Sequence, residues 1–178
     1  MKFNLQPILE NDKVILYPLK EEDFEDLYSV ASDPKIWEQH PNKDRWKKDV
    51  FRTFFEGALQ SKGAFKVIDK VTGNIMGSTR IYDYSEQDDS VLIGYTFYAT
   101  AYWGKGINLL VKALMLDYLF QYVSQVYFHI GAVNIRSQIA IDRLGAQKVD
   151  EQEVAYFGEP SKLNFVYRVG KEEWRVNP

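Results

Sequence analysis

The sequence predicts an α/β fold built on one mixed β-sheet. Short β-prone segments divided by polar turns predict an antiparallel meander whose last strand falls at residues 90–98. A long apolar helix follows at residues 109–122, and a further β-prone segment occupies residues 126–132. Strand, buried helix and strand make a crossover unit, so the two strands should lie parallel to one another.

The elements before the crossover follow from local patterns. Residues 14–19 are β-prone, and residues 20–31 repeat apolar side chains at helical spacing with an acidic first turn. A second helix is predicted over residues 44–59, where a stripe of phenylalanines indicates packing in the core. The segment IWEQHP, residues 36–41, is predicted to be a loop between these helices. The strands of the meander are expected at residues 64–69, 75–84 and 90–98.

The elements after the crossover are a short helix and a hairpin. The helix at residues 134–144 should end at the glycine that follows it. Residues 147–155 and 163–169 are expected to form the hairpin, which could present an edge to a second copy in a homodimer. The tail that ends at Pro178 is polar and is expected to be frayed. Without repeats or linkers, residues 1–178 are expected to form one domain.

Composition excludes several classes of function. The formal net charge is −3 and no long basic cluster is present, which argues against a nucleic-acid-binding protein. The absence of cysteine excludes disulfides, thiolate metal sites and a cysteine nucleophile, and we expect no metal. Neither a signal peptide nor a membrane span is evident, so a cytoplasmic location without a membrane partner is expected. Aromatic residues form 15% of the chain, which fits either a cleft lined by rings or a phenylalanine-rich core.

The segment YTFYATAYWGKGINLL, residues 95–110, carries the strongest functional signal. It places Gly104 and Gly106 between a strand and the N-terminus of a buried helix. Unpaired N–H groups and the positive end of the helix dipole converge at such a turn, and glycine lets phosphate oxygens approach the backbone. Leu109 replaces the third glycine of the dinucleotide fingerprint, and no Gly-Lys-Ser/Thr follows, so nicotinamide-type and Walker-type sites are not predicted. The pattern predicts a ligand that carries a pyrophosphate.

Four motifs follow one another along the chain, and they are Ile93-Gly94-Tyr95, Tyr102-Trp103-Gly104-Lys105-Gly106, Asn134-x-x-Ser137 and Leu144-Gly145-Ala146. In order and spacing they resemble the GNAT acetyltransferases, specifically the branch similar to ribosomal-protein N-terminal (RimJ/RimL-type) acetyltransferases. The resemblance extends from about residue 14 to residue 169. The chain departs from the family pattern at Ala101, the first position of the glycine loop, and at Leu110, where many relatives of this branch have glutamate.

The resemblance implies acetyl-CoA as the donor and a primary amine as the acceptor, either a protein or peptide N-terminus or a small amine. Backbone groups of Phe97 and Tyr98 would bind the pantetheine arm, where the parallel strand pair splays apart. Asn134 would also contact the pantetheine, and Ser137 would lie near the thioester sulfur. The remaining cofactor-binding residues implied are those of the loop, Trp103, Gly104, Lys105, Gly106, Ile107 and Asn108.

The resemblance leaves alternatives open for the catalytic groups. Many GNAT enzymes use a tyrosine as the acid where this chain has Ile141, which leaves Ser137, with or without a water, as the candidate acid. His40 is the first candidate for the base because its ordinary pKa lies near neutrality, and Glu38 is the second. The alternative is that their loop only caps the first two helices. The candidates for contacting the acceptor are Trp37, Arg80 and Tyr82.

The chemistry expected is direct transfer from a thioester to an amine. Because the chain has no cysteine, direct transfer is favoured over an acyl-enzyme, and a backbone N–H near Phe97 can polarise the carbonyl. The alternative function is a catalytically weak or inactive CoA-binding module of the same fold. A kinase-like enzyme is remote, since no Walker lysine or metal-binding Asp cluster is present. The identity of the acceptor is not predicted, because a fold does not fix a substrate.

Overall fold

A mixed β-sheet forms the frame of the protein in the computed structural model, which describes residues 3–176. Its strands in chain order are β1 (Leu9–Glu10), β2 (Val14–Pro18), β3 (Ala64–Asp69), β4 (Ile75–Ser85), β5 (Ser90–Tyr98), β6 (Gln125–Gly131), β7 (Gln147–Val154) and β8 (Lys162–Gly170). They lie in the spatial order β1-β2-β3-β4-β5-β6-β8-β7, and the pair β5–β6 is parallel among otherwise antiparallel neighbours. The predicted α/β fold, with an antiparallel meander and one parallel pair, is confirmed.

The helices pack on both faces of this sheet. They are α1 (Phe24–Ala31), α2 (Lys48–Ser61), α3 (Ile107–Leu119), α4 (Ile135–Arg143) and α5 (Lys171–Val176). The expectation of a frayed tail is wrong up to residue 176, because α5 forms there and Trp174 donates a hydrogen bond to the Asp117 carboxylate at 2.8 Å. Pro178 lies outside the described residues. None of the helices in the described range is both long and apolar enough to cross a membrane.

Two predicted boundaries move for local reasons. The helix expected from residue 44 begins at Lys48, because residues 44–47 form a turn in which the Lys47 N–H donates to the Asp44 carbonyl at 2.9 Å. The segment predicted as a loop starts inside a 3-10 turn, Pro34–Trp37, in which the Lys35 N–H donates to the side chain of the preceding Asp33 at 2.9 Å. The strand β1 was not predicted, since it contains only Leu9–Glu10.

Two hydrophobic clusters cover the two faces of the sheet. One joins the sheet to α3 and includes Phe65 and Val111, and the other joins it to α1 and α2 and includes Ala64 and Phe51. The adjacent residues Ala64 and Phe65 enter different clusters because successive side chains of a strand point to opposite faces. Many of the aromatic residues therefore lie in a phenylalanine-rich core on the α1–α2 face.

The parallel pair separates soon after it begins. Strand β5 pairs with β6 only from Ser90 to Leu92, which face residues 125–127. Further along β5, Tyr95 and Thr96 together oppose the single residue Thr79 of β4, which makes a β-bulge, and Tyr95 has a φ of 54°. A positive φ in a non-glycine residue is strained and is often found at functional sites. The bulge therefore lies in the part of β5 that has already separated from β6.

Candidate active site

A cavity of about 670 Å³ occupies the gap between β5 and β6. The loop before α3, the free edge of β5, the end of β6 and the first turns of α4 all contribute to its lining. The structure brings together most of the predicted site residues here, namely Trp37, His40, Tyr82, Phe97, Tyr98, Trp103, Gly104, Gly106, Ile107, Asn108, Asn134 and Ser137.

Residues 104–109 lead into α3, and we call them the N–H cradle; all of them except Lys105 line the cavity. Gly104 and Gly106 have φ values of 71° and 74°, in the left-handed region that favours glycine. No backbone N–H from residue 104 to residue 109 has an acceptor among the described residues, and the first such bond runs from the Leu110 N–H to the Gly106 carbonyl at 3.2 Å. Six consecutive unpaired N–H groups at a helix N-terminus form a binding site for an anion.

The side chains around the cradle have separate roles. Trp103 is fixed from two sides, since its indole N–H donates to the Tyr98 carbonyl at 3.0 Å and the Arg136 guanidinium carbon lies 3.8 Å from its ring centroid. Lys105 is exposed and does not line the cavity, although its ammonium lies 6.0 Å from the centroid of the Tyr102 ring. The cradle is therefore made of backbone groups rather than of charged side chains.

The start of α4 faces the cradle across the cavity. The Asn134 side-chain oxygen caps this helix by accepting from the Ser137 N–H at 3.3 Å, which leaves the amide nitrogen as the group that could reach a ligand. Gln39 also braces this end, because its side-chain oxygen accepts from the Arg136 N–H at 2.9 Å. Ile141 is buried one turn further along the helix, so no acidic side chain stands at that position.

Phe97 and Tyr98 stand on the free edge of β5, and their side chains enter opposite core clusters. The Tyr98 hydroxyl is a buried polar atom without a hydrogen-bond partner among the described residues. Burial raises the pKa of this hydroxyl, so it remains a donor at neutral pH. Because this hydroxyl is buried, it is the backbone of Phe97 and Tyr98, rather than the Tyr98 hydroxyl, that a molecule in the cavity could contact.

Aromatic side chains form the opposite end of the cavity, and we call Trp37, Tyr82, Tyr95 and Tyr156 the aromatic wall. The ring of Tyr95 lies edge-to-face with Tyr82 at 5.0 Å and with Tyr156 at 5.1 Å. Trp37 is 1% exposed, and its indole N–H donates to the Ala31 carbonyl at 2.8 Å. The predicted cleft lined by rings and the predicted aromatic core thus both exist.

His40 lies beside this wall, whereas Glu38 does not. The His40 Nε2 is 3.1 Å from the Arg45 Nη1, and the Nδ1 accepts from the Asn42 N–H at 3.1 Å. Burial lowers the pKa of His40 well below its ordinary value, and the adjacent Arg45 cation lowers it further. His40 is therefore neutral at physiological pH, and a neutral imidazole can accept a hydrogen bond at only one of these two nitrogens. Glu38 is exposed and outside the cavity lining.

Two buried arginines lie against the aromatic wall, and Arg45 also lines the cavity. Arg45 binds Glu159 through two hydrogen bonds, Nε to Oε1 at 2.7 Å and Nη2 to Oε2 at 2.8 Å. Arg80, a predicted acceptor contact, lies against the ring of Tyr95 and is covered by it, with its guanidinium carbon 3.7 Å from the ring centroid. Arg80 itself is not part of the cavity lining.

Lys112 is a buried lysine at the cavity that was not predicted from the sequence as a site residue. It lies on α3, lines the cavity and is 3% exposed. Its ammonium nitrogen contacts the Thr96 hydroxyl at 2.5 Å and the Thr79 hydroxyl at 3.2 Å, and no carboxylate pairs with it among the described residues. Burial lowers the pKa of Lys112 to about 7. A signal was present, because residue 112 is spaced by three, four and seven residues from the buried Met115, Leu116 and Leu119.

The other groups that were missed had no local signal. Arg45 and Glu159 are far apart in the sequence, and only the packing of the β7–β8 loop against the start of α2 brings them together. Tyr156 comes from the same loop. Among residues 3–176, no group of three or more His, Asp and Glu side chains is placed to hold a metal ion.

Comparison with known proteins gives the family to which this fold and this cradle belong. A family model described as "Acetyltransferase (GNAT) domain" matches residues 13–147, so the chain belongs to the GNAT acetyltransferases. The reaction of this family is the transfer of an acetyl group from acetyl-CoA to an amine. The predicted enzyme class is thereby confirmed.

Solved structures of acetyltransferases share this fold. A GCN5-related N-acetyltransferase from Brucella melitensis superposes with a TM-score of 0.82 at 17% identity, over 96% of this chain and 81% of that chain. A GNAT-family acetyltransferase from Bacillus anthracis superposes with a TM-score of 0.74 at 16% identity, over 94% of this chain and 100% of that chain. Spermidine N-acetyltransferase from Vibrio cholerae, solved in complex with CoA and spermine, superposes with a TM-score of 0.69 at 15% identity, over 93% of this chain and 99% of that chain. At these identities the likeness is one of fold.

Proposed function

We propose that the cavity binds acetyl-CoA and that the protein transfers the acetyl group directly to a primary amine. The observation that carries the proposal is the N–H cradle, because residues 104–109 offer unpaired donors and the positive end of α3 to a pyrophosphate. The free edge of β5 beyond Leu92 supplies further backbone polar groups along the cavity. These features fit a ligand with a polar, peptide-like arm and an anionic head.

Each part of the cofactor has candidate partners in this chain. Backbone groups of Phe97 and Tyr98, together with the amide of Asn134, would hold the pantetheine arm, and Trp103 would flank the loop. Bound acetyl-CoA supplies an acetyl thioester that a neutral amine can attack. Ser137 lines the same cavity and is the hydroxyl proposed to donate a proton to the sulfur.

Two residues are candidates for the general base that takes a proton from the acceptor amine. His40 is neutral because of its lowered pKa, which a base requires, but the same lowered pKa makes it a weak one. Glu38 is the second candidate, and from its exposed position it would act through water. The acceptor would enter beside the aromatic wall, with Trp37, Tyr82 and Arg80 as its proposed contacts.

Two measurements test this function. Isothermal titration should show acetyl-CoA binding to the purified chain, and an amine panel should release free CoA. Because the chain has no cysteine, a thiol reagent detects only the released CoA. Absence of acetyl-CoA binding would falsify the proposal, and binding without CoA release from any amine would favour a CoA-binding module.

Three finer assignments accompany the proposal. The loop and Asn-x-x-Ser motifs support the ribosomal-protein N-terminal acetyltransferase branch, and a mass-spectrometric screen of N-terminal peptides tests it. A cytoplasmic location is also proposed. A homodimer through the final hairpin stays a prediction, and light scattering tests it. The outer strand β7 is exposed and acidic, which disfavours pairing edge to edge.

A further inference from the structure

Only one of the two arginines against the aromatic wall has an anionic partner. Arg45 is paired with Glu159 through two hydrogen bonds and lies 3.1 Å from the His40 Nε2. Arg80 is 5% exposed, yet its guanidinium has no hydrogen bond or ion pair with any described residue, and its Nε is fully buried. A buried cation without a partner is costly in a folded protein, so the presence of Arg80 at this place suggests a role in binding.

The surroundings of Arg80 offset this cost only in part. Its guanidinium carbon lies 3.7 Å from the Tyr95 ring centroid and 5.6 Å from that of Phe54, which are cation–π distances. Burial lowers the pKa of Arg80 to about 10, so the group is still a cation at neutral pH. Aromatic rings attract this cation but accept no conventional hydrogen bond from its N–H groups.

No neighbouring side chain supplies the missing negative charge. Glu159 already pairs with Arg45, and Asp83, further along β4, is exposed and forms no ion pair with Arg80. Burial raises the pKa of the Tyr82 hydroxyl and of the Tyr95 hydroxyl, so both remain neutral. The region against the wall therefore holds two guanidinium groups and one carboxylate.

We propose that the acceptor amine also carries a carboxylate and that this carboxylate pairs with the Arg80 guanidinium. The proposal rests on the proposed acetyl transfer and names the class of its acceptor. A guanidinium binds a carboxylate through two parallel hydrogen bonds, the geometry that Arg45 and Glu159 already adopt nearby. The carboxylate has two possible sources, a free amino acid or a peptide whose first residue is acidic.

The same charges act against a polyamine acceptor. An acceptor with several ammonium groups would bring more positive charge to a region that already has an unpaired cation. The ring of Tyr95 lines the cavity and covers Arg80, so it has to shift when a carboxylate reaches the guanidinium. The carboxylate then replaces the ring face as the partner of Arg80.

Matched acceptors test the proposal in the full-length chain. One pair is an amino acid and its amide, and the other is a peptide beginning with Glu and its Gln counterpart. The amide has the less basic amine, which biases the first pair against the proposal. We expect the acid of at least one pair to react with a kcat/KM about tenfold higher or more. Arg80→Met should abolish this preference without changing the acetyl-CoA affinity, and Arg80→Lys should keep part of it.

A binding readout keeps the test independent of turnover. Thermal unfolding should shift to higher temperature with the acid member of the preferred pair at millimolar concentration, in the wild type but not in Arg80→Met. Equal reaction and equal stabilisation by acid and neutral partners, or a preference that persists in Arg80→Met, would overturn the proposal. Failure of the wild type to bind acetyl-CoA would instead overturn the proposed function, and the thermal shifts would still decide the role of Arg80.

Discussion

The N–H cradle and the aromatic wall line the same cavity but are made from different parts of the chain. The cradle uses the backbone of residues 104–109, which are consecutive, and its donors depend on two positive φ angles. The wall uses side chains from a 3-10 turn, two strands and the β7–β8 loop, held by the pair Arg45–Glu159. A backbone site can lose function with little loss of stability, whereas a buried side-chain site should lose stability first.

The largest effect is expected from the ion pair against the wall. Glu159→Gln keeps the shape of the side chain but leaves Arg45 as a buried cation, so the free energy of unfolding should fall by about 3–5 kcal/mol. Urea unfolding measures this change. The control is Glu151→Gln, which breaks an exposed pair with Lys148 and should cost about 1 kcal/mol or less. If Glu159→Gln lowers the free energy of unfolding no more than Glu151→Gln does, the buried ion pair is not what stabilises the aromatic wall.

The second prediction separates function from stability in the cradle. Gly106 and Gly73 have nearly equal φ values of 74° and 75°, and an added Cβ meets no atom within 4 Å at either position. Valine at either position should therefore cost a similar 1–2 kcal/mol, roughly, in the free energy of unfolding. Only Gly106→Val should weaken acetyl-CoA binding, by about 100-fold, because it displaces the N–H donors.

Calorimetric titration of both glycine variants checks this prediction. Gly73 lies in the turn between β3 and β4, outside the cavity lining, so it controls for backbone strain alone. Equal acetyl-CoA affinities in the two variants would mean that the cradle does not hold the cofactor.

Lys112 lies between the two regions and provides a third prediction. Its pKa is about 7 in the folded protein against 10.5 for a free lysine, so the folded state binds fewer protons between these values. Stability should therefore rise with pH, by about 2 kcal/mol from pH 7 to pH 9. Lys112→Met should remove this increase of stability with pH and should be more stable than the wild type at pH 7. In that variant the Thr79 and Thr96 hydroxyls would still bond one another, as they do now at 2.8 Å.

Denaturant unfolding across this pH range measures the slope. Lys105→Met is the matched control, because Lys105 is exposed and its loss should leave the rise intact. A Lys112→Met variant that keeps the slope would place the titrating group elsewhere.

The same contrast explains what could be predicted from the sequence. The cradle was predictable because Gly104 and Gly106 lie close together in the sequence and glycine favours the positive φ angles that the turn needs. The strand before them and the helix after them follow from the hydrophobic periodicity. The parallel pairing of β5 with β6 followed from the crossover rule. The pair of Arg45 with Glu159 could not be predicted, since it depends on how the β7–β8 loop packs against α2.

Arg80 is intermediate between these two cases, because part of its environment was predictable from the sequence and part was not. Alternation along the strand predicted that Arg80 and Tyr82 share one face, which would meet either the acceptor cleft, the favoured choice, or the solvent. What no pattern revealed was the absence of a partner, because that depends on every residue packed around it. Lys112 was readable in principle, since its spacing places it on the apolar face of α3.

The smallest effect should come from the charge nearest the cradle. Lys105 is exposed, so water screens its attraction to a bound phosphate, and Lys105→Ala should weaken acetyl-CoA binding about fivefold or less. The loss should shrink further at high salt, whereas the loss in Gly106→Val should not. Lys13→Ala, at an exposed lysine outside the cavity lining, controls for the change in net charge. A loss in Lys105→Ala as large as that in Gly106→Val would mean that a side-chain charge, rather than the backbone N–H groups, holds the pyrophosphate.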